Sequence, residues 1–249
     1  MTNAYLIDAS IYIFRAWHTL PDTIRDNHGN AANATFGFSE FLLKLLSEQS
    51  PSHIACAFDE CREGAVRKRI YPPYKANRPA TPADLKRQFT ASRACAEALG
   101  IACFGSLHYE ADDIIGTLAK HARNQGANCT IISADKDLAQ FIRPGDCLWN
   151  YAKKHKQSYR DVCKHYRLNP EQIPDMLALS GDKVDNIPGV PGVGMHTAAR
   201  LLYKWGTLEN LYAHLPEAAM MEFRGAKRVA DLLGDYRDRV FLARKLTGL

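Results

Sequence analysis

Nine acidic residues are spaced in a way that suits a site for divalent metal ions. Seven of them follow short apolar runs or open a helical segment, and two lie in the motif Ser-Gly-Asp-Lys-Val-Asp-Asn. The nine are Asp8, Asp59, Glu110, Asp112, Asp113, Asp135, Asp137, Asp182 and Asp185. Oxygen ligands with no Cys or His group nearby favour Mg²⁺ or Mn²⁺ over Zn²⁺. The carboxylates suffice for two ions, the arrangement used in phosphodiester displacement.

Each acid also has an ordinary structural explanation when it is considered alone. Acids in the first turn of a helix cap N–H groups and stabilise the helix dipole, which could account for Glu110, Asp112 or Asp113. Aspartate at a strand end is common turn chemistry. The joint pattern nevertheless favours a metal site. Two carboxylates ~4 Å apart repel by about 4 kcal/mol at an effective dielectric constant of ~20, so a cluster needs cations or protons to offset the repulsion.

The elements that must position these acids alternate along the chain. Five apolar runs have the pattern of strands buried on both faces: residues 4–8, 53–59, 101–104, 129–133 and 147–149. Helical spacing occupies residues 34–47, 82–98 and 111–124. This order predicts an α/β fold, with a mostly parallel central sheet flanked by helices. Ligands of such sheets bind beyond the carboxyl ends of the strands, so the first seven acids should converge on one crevice.

The strand pattern stops at about residue 159, and short helical segments continue to the C-terminus. We therefore predict an α/β part over residues 1–158 and a helical part over residues 159–249. The α/β part includes an irregular basic segment at about residues 62–93. Asp182 and Asp185 belong to the helical part and could close the crevice.

The basic segment is the main charge asymmetry of the chain. Residues 62–93 contain nine Lys or Arg against two acids, an excess of seven, while the whole chain has a net charge of +5. A local field of this kind attracts polyanions such as nucleic acid. Within it, residues 71–82 contain four prolines, so this stretch should be exposed and non-helical.

A glycine-rich segment at residues 187–197, Ile-Pro-Gly-Val-Pro-Gly-Val-Gly-Met-His-Thr, leads into helical spacing at residues 198–205. Gly189 and Gly194 have the spacing of a phosphate loop, but Met195 and His196 stand where that motif requires Lys and Ser or Thr. A nucleotide site is therefore not expected. A tight glycine hairpin between two helices instead exposes backbone N–H groups that can hold a phosphate. The segment predicts duplex binding that does not depend on base sequence.

Cysteine usage and the N-terminus indicate the compartment. The seven cysteines form no Cys-x-x-Cys pair, which is typical of reduced thiols in a cytoplasmic protein. The N-terminus has no basic region before its first apolar run, so no signal peptide is expected. No apolar run approaches the ~18 residues of a membrane span. We expect a cytoplasmic monomer with no membrane partner.

Three motifs together resemble the bacterial and phage 5′ nucleases, relatives of the eukaryotic flap endonucleases and of the N-terminal nuclease domain of bacterial DNA polymerase I. They are Tyr-Glu-Ala-Asp-Asp at residues 109–113, Ser-Ala-Asp-Lys-Asp at 133–137, and Gly-Asp-Lys-Val-Asp-Asn-Ile-Pro-Gly-Val at 181–190. Residues 71–78 resemble the arch segment of this family. The resemblance runs from about residue 4 to residue 246. No polymerase domain follows, so a stand-alone member is expected.

The resemblance implies a role for each matching residue. All nine acids match metal-site positions, Lys75 and Arg78 match arch residues that contact the scissile phosphate, and Arg15 matches a position near the active-site phosphates. The hairpin resembles a helix–hairpin–helix at about residues 174–205. There, a K⁺ ion would be held by backbone carbonyls of Ser180, Val190 and Val193. The implied DNA contacts are Arg67, Lys68, Arg69, Tyr74, Gly192, Gly194, His196 and Thr197.

The function implied by the resemblance is that of a structure-specific 5′ nuclease, both 5′→3′ exonuclease and flap endonuclease, serving DNA replication and repair. Its partner would be DNA with a free 5′ end, a flap or a nick, and its cofactors two Mg²⁺ or Mn²⁺ ions. One alternative is a PIN-type ribonuclease, whose sites need fewer acids and lack the glycine hairpin. The other is a non-catalytic module that binds DNA junctions. The loss of Lys75, Asp182 or Asp185 would have indicated such a module, and all three residues are present.

Overall fold

The computed structural model describes residues 2–61 and 65–248, so Arg62 of the basic segment lies outside the described residues. The chain divides into two compact units. The sheet unit comprises Met1–Val66, Pro79–Leu138 and Ile142–Ser158. The helical unit comprises Arg67–Arg78, Ala139–Phe141 and Tyr159–Leu249. The basic segment is thereby divided, because residues 67–78 group with the helical unit.

Within the described residues, six strands form one sheet in the order β3-β2-β1-β4-β5-β6. They are β1 (Asn3–Asp8), β2 (His53–Phe58), β3 (Ala102–Gly105), β4 (Asn128–Ile132), β5 (Cys147–Asn150) and β6 (His155–Ser158). Strands β1 to β5 are parallel to their neighbours, and β6 pairs antiparallel with β5. The prediction of a mostly parallel α/β sheet is confirmed.

Four helices of the sheet unit follow its strands. They are α1 (Ala9–Thr19), α2 (Asn33–Gln49), α4 (Ala83–Ala98) and α5 (Ala111–Asn124). Aromatic pairs pack α2 against the sheet and against α1: Phe38 meets Phe58 of β2 edge-on with ring centroids 6.2 Å apart, and Tyr12 of α1 stacks on Phe41 of α2 at 4.2 Å. This packing fixes the helices against the strand ends that carry the acids.

Two features of the sheet differ from the sequence-based expectation. Strand β3 was expected to be buried on both faces, but three of its four residues are exposed because it is an edge strand of the sheet. Strand β6 was not predicted, since His-Lys-Gln-Ser has little apolar character. It pairs with β5 at the opposite edge, where exposure of polar side chains costs little.

The helical unit contains most of α3 (Val66–Ile70), together with seven helices that follow the sheet. Those seven are α6 (Tyr159–Tyr166), α7 (Ile173–Ser180), α8 (Met195–Trp205), α9 (Leu208–Ala213), α10 (Leu215–Ala219), α11 (Ala226–Asp235) and α12 (Arg237–Thr247). Helix α7 is buried from residue 173 to residue 179 and packs on α8 and α12. None of the helices in the described part is long and apolar enough to cross a membrane.

A buried carboxylate joins three helices of this unit. Asp175 of α7 pairs with Arg244 of α12 and accepts a hydrogen bond of 3.1 Å from the backbone N–H of Leu208, which opens α9. Burial raises the pKa of Asp175, and the neighbouring Arg244 opposes that rise. The cation and the helix N-terminus therefore compensate a charge that would be costly to leave buried alone.

Candidate functional site

The first acid of the site, Asp8, ends β1 and caps the helix that follows it. Its Oδ1 accepts a hydrogen bond of 3.3 Å from Ile11 N, and its Oδ2 accepts one of 2.9 Å from the Ser133 hydroxyl. Because α1 begins at the next residue, this capping bond fixes the carboxylate at the carboxyl edge of the sheet. The side chain is buried.

Ser133 also organises the turn after β4. Its Oγ accepts a hydrogen bond of 3.0 Å from Asp135 N, while Asp135 Oδ1 accepts one of 2.9 Å from Asp137 N. One hydroxyl therefore links Asp8, at the end of β1, to the two acids that follow the neighbouring strand β4. The half-buried Asp135 is thus held beside Asp8, and its carboxylate fixes the backbone of Asp137.

Asp59 follows β2, the other neighbour of β1. Its backbone N–H donates a 2.9 Å hydrogen bond to Ser10 Oγ, and its Oδ1 accepts one of 3.3 Å from Cys61 N. The side chain is exposed, unlike that of Asp8. The backbone is thus anchored to α1, while the carboxylate remains accessible to solvent.

A cationic clamp holds the chain on the other side of Asp59. Arg93 of α4 pairs with Glu60, donates a 3.0 Å hydrogen bond from Nε to Glu97 and lies 5.8 Å above the Phe58 ring. This arginine was counted among the basic residues expected to attract DNA. Its structural partners show that it instead ties the end of β2 to α4.

Three acids occupy the start of α5, and two of them cap the helix. The Glu110 N–H donates a 2.9 Å hydrogen bond to Asp113 Oδ2, and the two residues form a reciprocal capping box. Glu110 is buried, and Asp112 and Asp113 are half-buried. Capping of the helix therefore explains part of this acidic triplet, as expected for acids in the first turn of a helix.

The electrostatics of Asp8 show that the acids influence one another. Burial, opposed by the Ser133 hydrogen bond and reinforced by the charges of Asp135 and Asp59, raises the pKa of Asp8 from 3.8 to about 6. A buried carboxylate next to two other carboxylates is stabilised by a bound proton or cation. The oxygen-only donors fit a hard divalent ion. In the described residues, no three His, Cys, Asp or Glu side chains lie close enough together to hold an ion.

In the helical unit, Asp182 is built into a short antiparallel bridge with Ile187. The two residues exchange backbone hydrogen bonds of 2.8 and 2.7 Å. Asp182 is buried, and its Oδ1 accepts hydrogen bonds from the N–H groups of Val184 at 2.7 Å and Asp185 at 3.3 Å. The loop between the bridge residues is thereby fixed, and it presents Asp185 to the segment at residues 71–78.

Asp185 is the anionic centre of a basic cluster. Its carboxylate lies 3.7 Å from Lys75 Nζ, pairs with Arg78, and accepts a hydrogen bond of 3.2 Å from the Tyr74 hydroxyl. The Lys75 N–H also donates to the Asp185 carbonyl at 3.0 Å. Lys75 and Arg78 therefore share one carboxylate, and Asp185 partly compensates their charges.

The structure revises the expectation for two of the predicted DNA contacts. Tyr74 is only 2% exposed, although residues 71–82 were expected to be exposed. Arg67 is buried and donates from Nε to the Leu246 carbonyl at 2.8 Å, at the end of α12. Both side chains are used within the helical unit, whereas Arg69 is exposed and Lys68 is half-buried.

Gly189 of the hairpin and Gly181, which precedes it, allow two backbone segments to approach closely. A Cβ on Gly189 would lie 2.3 Å from Gly181 N, and one on Gly181 would lie 2.5 Å from Gly189 N. Helix α8 begins at Met195, three residues earlier than expected. Gly192, Gly194 and His196 are exposed and Thr197 is half-buried, so these predicted DNA contacts are accessible.

The predicted potassium site stays a prediction. The Val190 carbonyl accepts a 3.0 Å hydrogen bond from Val193 N, and the Val190 N–H donates 2.9 Å to the Leu179 carbonyl. These bonds fix the turn that would carry the three carbonyls of Ser180, Val190 and Val193. Arg15, the remaining predicted residue, is exposed on α1.

Sequence reasoning missed Ser10 and Ser133, the two hydroxyls that position Asp59, Asp8 and Asp135. Each serine stands two residues from an acid of the site, in Asp-Ala-Ser and Ser-Ala-Asp. A serine at that distance from a strand-end aspartate is a usable signal, because its hydroxyl can bond backbone and carboxylate together.

A parallel sheet with carboxylates gathered at its carboxyl edge, followed by helices joined through a glycine hairpin, defines an α/β protein with an acidic site. Residues 3–178 match the 5′-3′ exonuclease N-terminal resolvase-like domain, and residues 168–249 match the 5′-3′ exonuclease C-terminal SAM fold. The chain belongs to the 5′-3′ exonuclease family.

Curated relatives agree with this assignment, and solved structures share the fold. DNA polymerase I of Bacillus caldotenax is 38% identical over 98% of this chain, and that of Pseudomonas aeruginosa is 38% identical over 97%. The chain spans 27% and 26% of those two relatives. The fold matches the T5 5′-exonuclease with bound divalent metal ions (zinc), with a TM-score of 0.78, 20% identity, and coverage of 98% of this chain and 89% of that one. It also matches the catalytic core of Rad2 in complex with DNA substrate, with a TM-score of 0.61, 18% identity, and coverage of 95% and 73%.

Proposed function

We propose that this chain hydrolyses DNA phosphodiesters at 5′ ends and at 5′-flap junctions, with divalent metal ions as cofactors. The observation that carries the proposal is the hydroxyl of Ser133, which joins Asp8 and the turn of Asp135 at the carboxyl edge of the sheet. Asp59 stands at the end of the strand on the other side of Asp8. Family membership supports the reaction class.

The acids of the sheet unit are the proposed ligands of the metal ions. They are Asp8, Asp59, Glu110, Asp112, Asp113, Asp135 and Asp137. When bound, Mg²⁺ or Mn²⁺ would act as a Lewis acid that lowers the pKa of water and stabilises charge on the leaving oxygen. The carboxylates would orient that site, and their mutual repulsion favours cation binding. Asp182 and Asp185 of the helical unit stay predicted ligands.

Lys75 and Arg78 are the proposed contacts of the scissile phosphate. Both cations face one carboxylate of Asp185, so their side chains are held close together before any DNA binds. Two positioned cations stabilise the charge that develops on the phosphoryl oxygens during displacement. Arg15 would contact a neighbouring phosphate.

The exposed hairpin is the proposed contact with duplex DNA. Gly192 and Gly194 expose backbone at the start of α8, where N–H groups and the helix dipole favour phosphate. Bound K⁺, held by the carbonyls of Ser180, Val190 and Val193, would add a cation at the same turn. Such contacts read the backbone, so binding should not depend on base sequence.

We further propose that the protein is a monomeric cytoplasmic enzyme that acts on DNA with a 5′ flap or a nick during replication and repair. The Rad2 core was solved with a DNA substrate, and the T5 5′-exonuclease with divalent metal ions. These descriptions of the relatives support both the polymer and the cofactor class.

The test is a cleavage assay on 5′-flap, nicked and blunt DNA duplexes, a flapless single strand and an RNA strand, with Mg²⁺ or with EDTA. We expect metal-dependent release at or near the flap junction, abolished by Asp182→Ala and kept by the exposed-surface variant Asp231→Ala. Cleavage in EDTA would refute the metal mechanism. Equal cutting of the single strand would refute structure specificity, and faster cutting of RNA would favour a ribonuclease.

A further inference from the structure

An open groove of about 1510 Å³ lies within the helical unit, beside the glycine hairpin. Its walls come from α6, α7, α8 and the connections between them, and Met195 and His196 at the start of α8 line one end. Helix α8 therefore presents the hairpin at its N-terminus and one wall of the groove along its length.

The chemistry of the groove is apolar within and cationic at the edge. Met176, Leu202 and Leu168 are buried side chains in its lining. Arg167, His196, Arg200 and Lys204 are exposed around them, and none of the described lining residues is acidic. The groove thus complements a ligand that is anionic on one side and apolar on the other.

One exposed aromatic side chain stands out in this lining. Tyr203 is 80% exposed, and it follows Ala199 and Arg200 on the same face of α8. A tyrosine ring that projects from a basic wall is a stacking platform for a nucleobase. The next residue, Lys204, has its Nζ 4.7 Å from the centre of the Trp205 ring, which supports a cation at the same wall.

We propose that this groove binds a single-stranded segment of DNA that continues from the duplex held by the hairpin. A duplex hides its bases and presents phosphates outward, so it has little use for an apolar groove. An unstacked strand presents both phosphates and apolar base faces, which match the cationic edge and the apolar interior. The proposal rests on the proposed DNA substrate and adds a second single-strand site to it.

The experiment measures binding in EDTA, so that no strand is cleaved. Fluorescence anisotropy compares a blunt duplex with the same duplex carrying a 3′ extension of about ten thymidines, within the roughly 4–16 nucleotides that single-strand sites cover. Because a 3′ extension creates no 5′ flap, a gain in affinity from it does not come from flap binding at the proposed active site. We expect the extension to tighten wild-type binding about fivefold or more, since stacking of one base on an aromatic ring has that magnitude.

Tyr203→Ala should remove this gain and leave blunt-duplex affinity unchanged. Met220→Ala is the matched control, because Met220 is also 80% exposed but does not line the groove. Lys204→Ala should lower the salt dependence of binding to the extended duplex by about one phosphate contact. Thermal unfolding checks that each variant keeps the wild-type fold.

Three results would overturn the proposal. The first is a 3′ extension that adds no affinity. The second is a Tyr203→Ala variant that binds DNA like Met220→Ala, and the third is a Tyr203→Ala variant that loses equal affinity for blunt and extended duplexes.

An oligoglutamate peptide with a terminal phenylalanine serves as a competing probe. If this peptide binds in a way that depends on Tyr203, and the 3′ extension has no effect on DNA affinity, the groove would be assigned to an acidic protein segment instead. Mg²⁺-dependent flap cleavage by the wild type, measured separately, tests the proposed function independently of these binding results.

Discussion

The Ser133 hydroxyl donates a 2.9 Å hydrogen bond to Asp8 Oδ2 and accepts one of 3.0 Å from Asp135 N. A single buried side chain therefore couples the ends of two adjacent parallel strands. Removal of a group that orients metal ligands in this way commonly lowers metal affinity or activity by about 10–100-fold.

Ser133→Ala is therefore expected to weaken Mg²⁺ activation of cleavage by about 10–100-fold, because Asp8 and the Asp135 turn lose their shared partner. The measurement is the Mg²⁺ concentration that gives the half-maximal rate. Ser92→Ala is the matched control, since Ser92 is also buried and its hydroxyl has no hydrogen-bond partner among the described residues. Equal effects of the two variants would contradict a positioning role for Ser133.

Asp8 should make metal-free stability depend on pH. Its pKa is raised from 3.8 to about 6, so the folded state binds more protons than the unfolded state between these values. The contribution of Asp8 to stability is then present in full below about pH 4 and is lost as the pH rises through about 6. Mg²⁺ should restore part of the stability lost at higher pH.

Asp8→Asn is expected to raise the unfolding free energy in EDTA at pH 8 by an amount on the order of 3 kcal/mol, and to change it little at pH 4. The variant should also lose the stabilisation by Mg²⁺. Denaturant unfolding at the two pH values measures both effects. Asp231→Asn, on the exposed face of α11, serves as the control. A stability difference between Asp8→Asn and the wild type that is the same at pH 4 and pH 8 would contradict the raised pKa of Asp8.

Lys75→Ala tests the proposed phosphate contact. We expect cleavage to slow by about 10²-fold or more, because a positioned charge that stabilises the transition state is lost. Duplex affinity should change little, since the hairpin is untouched. Single-turnover rates and anisotropy measure the two quantities. Arg69→Ala, at an exposed position of α3, should instead weaken binding and keep the single-turnover rate at saturation.

Gly189→Ala should disrupt the hairpin. The added Cβ would lie 2.3 Å from Gly181 N and 2.6 Å from the Ser180 carbonyl oxygen, so the two backbone segments must separate. We expect loss of duplex affinity and a destabilisation of about 1–3 kcal/mol. Gly234→Ala in α11 is the control, because open space surrounds that position and alanine favours the helix. A stable Gly189→Ala variant with wild-type affinity would refute the role of close approach.

The strands and helices that carry the acids could be predicted from the sequence because their apolar residues follow clear periodicities. The start of α5 at Ala111 and the strand before Asp59 are examples. Exposed β3 and polar β6 were harder, since position in the sheet, not sequence pattern, determines how much of an edge strand is buried. Edge positions follow from topology.

The site was predictable at the level of residue types but not of contacts. Acids at strand ends identify a candidate metal site from the sequence alone, whereas the bond between Asp8 and Ser133 joins residues 125 positions apart. The burial of Arg67 and Tyr74 has the same origin, because their partners Leu246 and Asp185 are distant in sequence. A run of basic residues predicts a positive electrostatic field, but only the packing of the folded chain determines which of these side chains face solvent.

The most direct test of the central claim is the single-turnover rate of 5′-flap cleavage as a function of Mg²⁺ concentration. We expect no cleavage in EDTA and loss of the reaction in Asp135→Asn at every Mg²⁺ concentration. In the wild type, the rate should rise more steeply than in proportion to the Mg²⁺ concentration, because two ions bind at each site. Cleavage that persists in EDTA, or that Asp135→Asn leaves unchanged, would contradict catalysis at the acidic edge of the sheet.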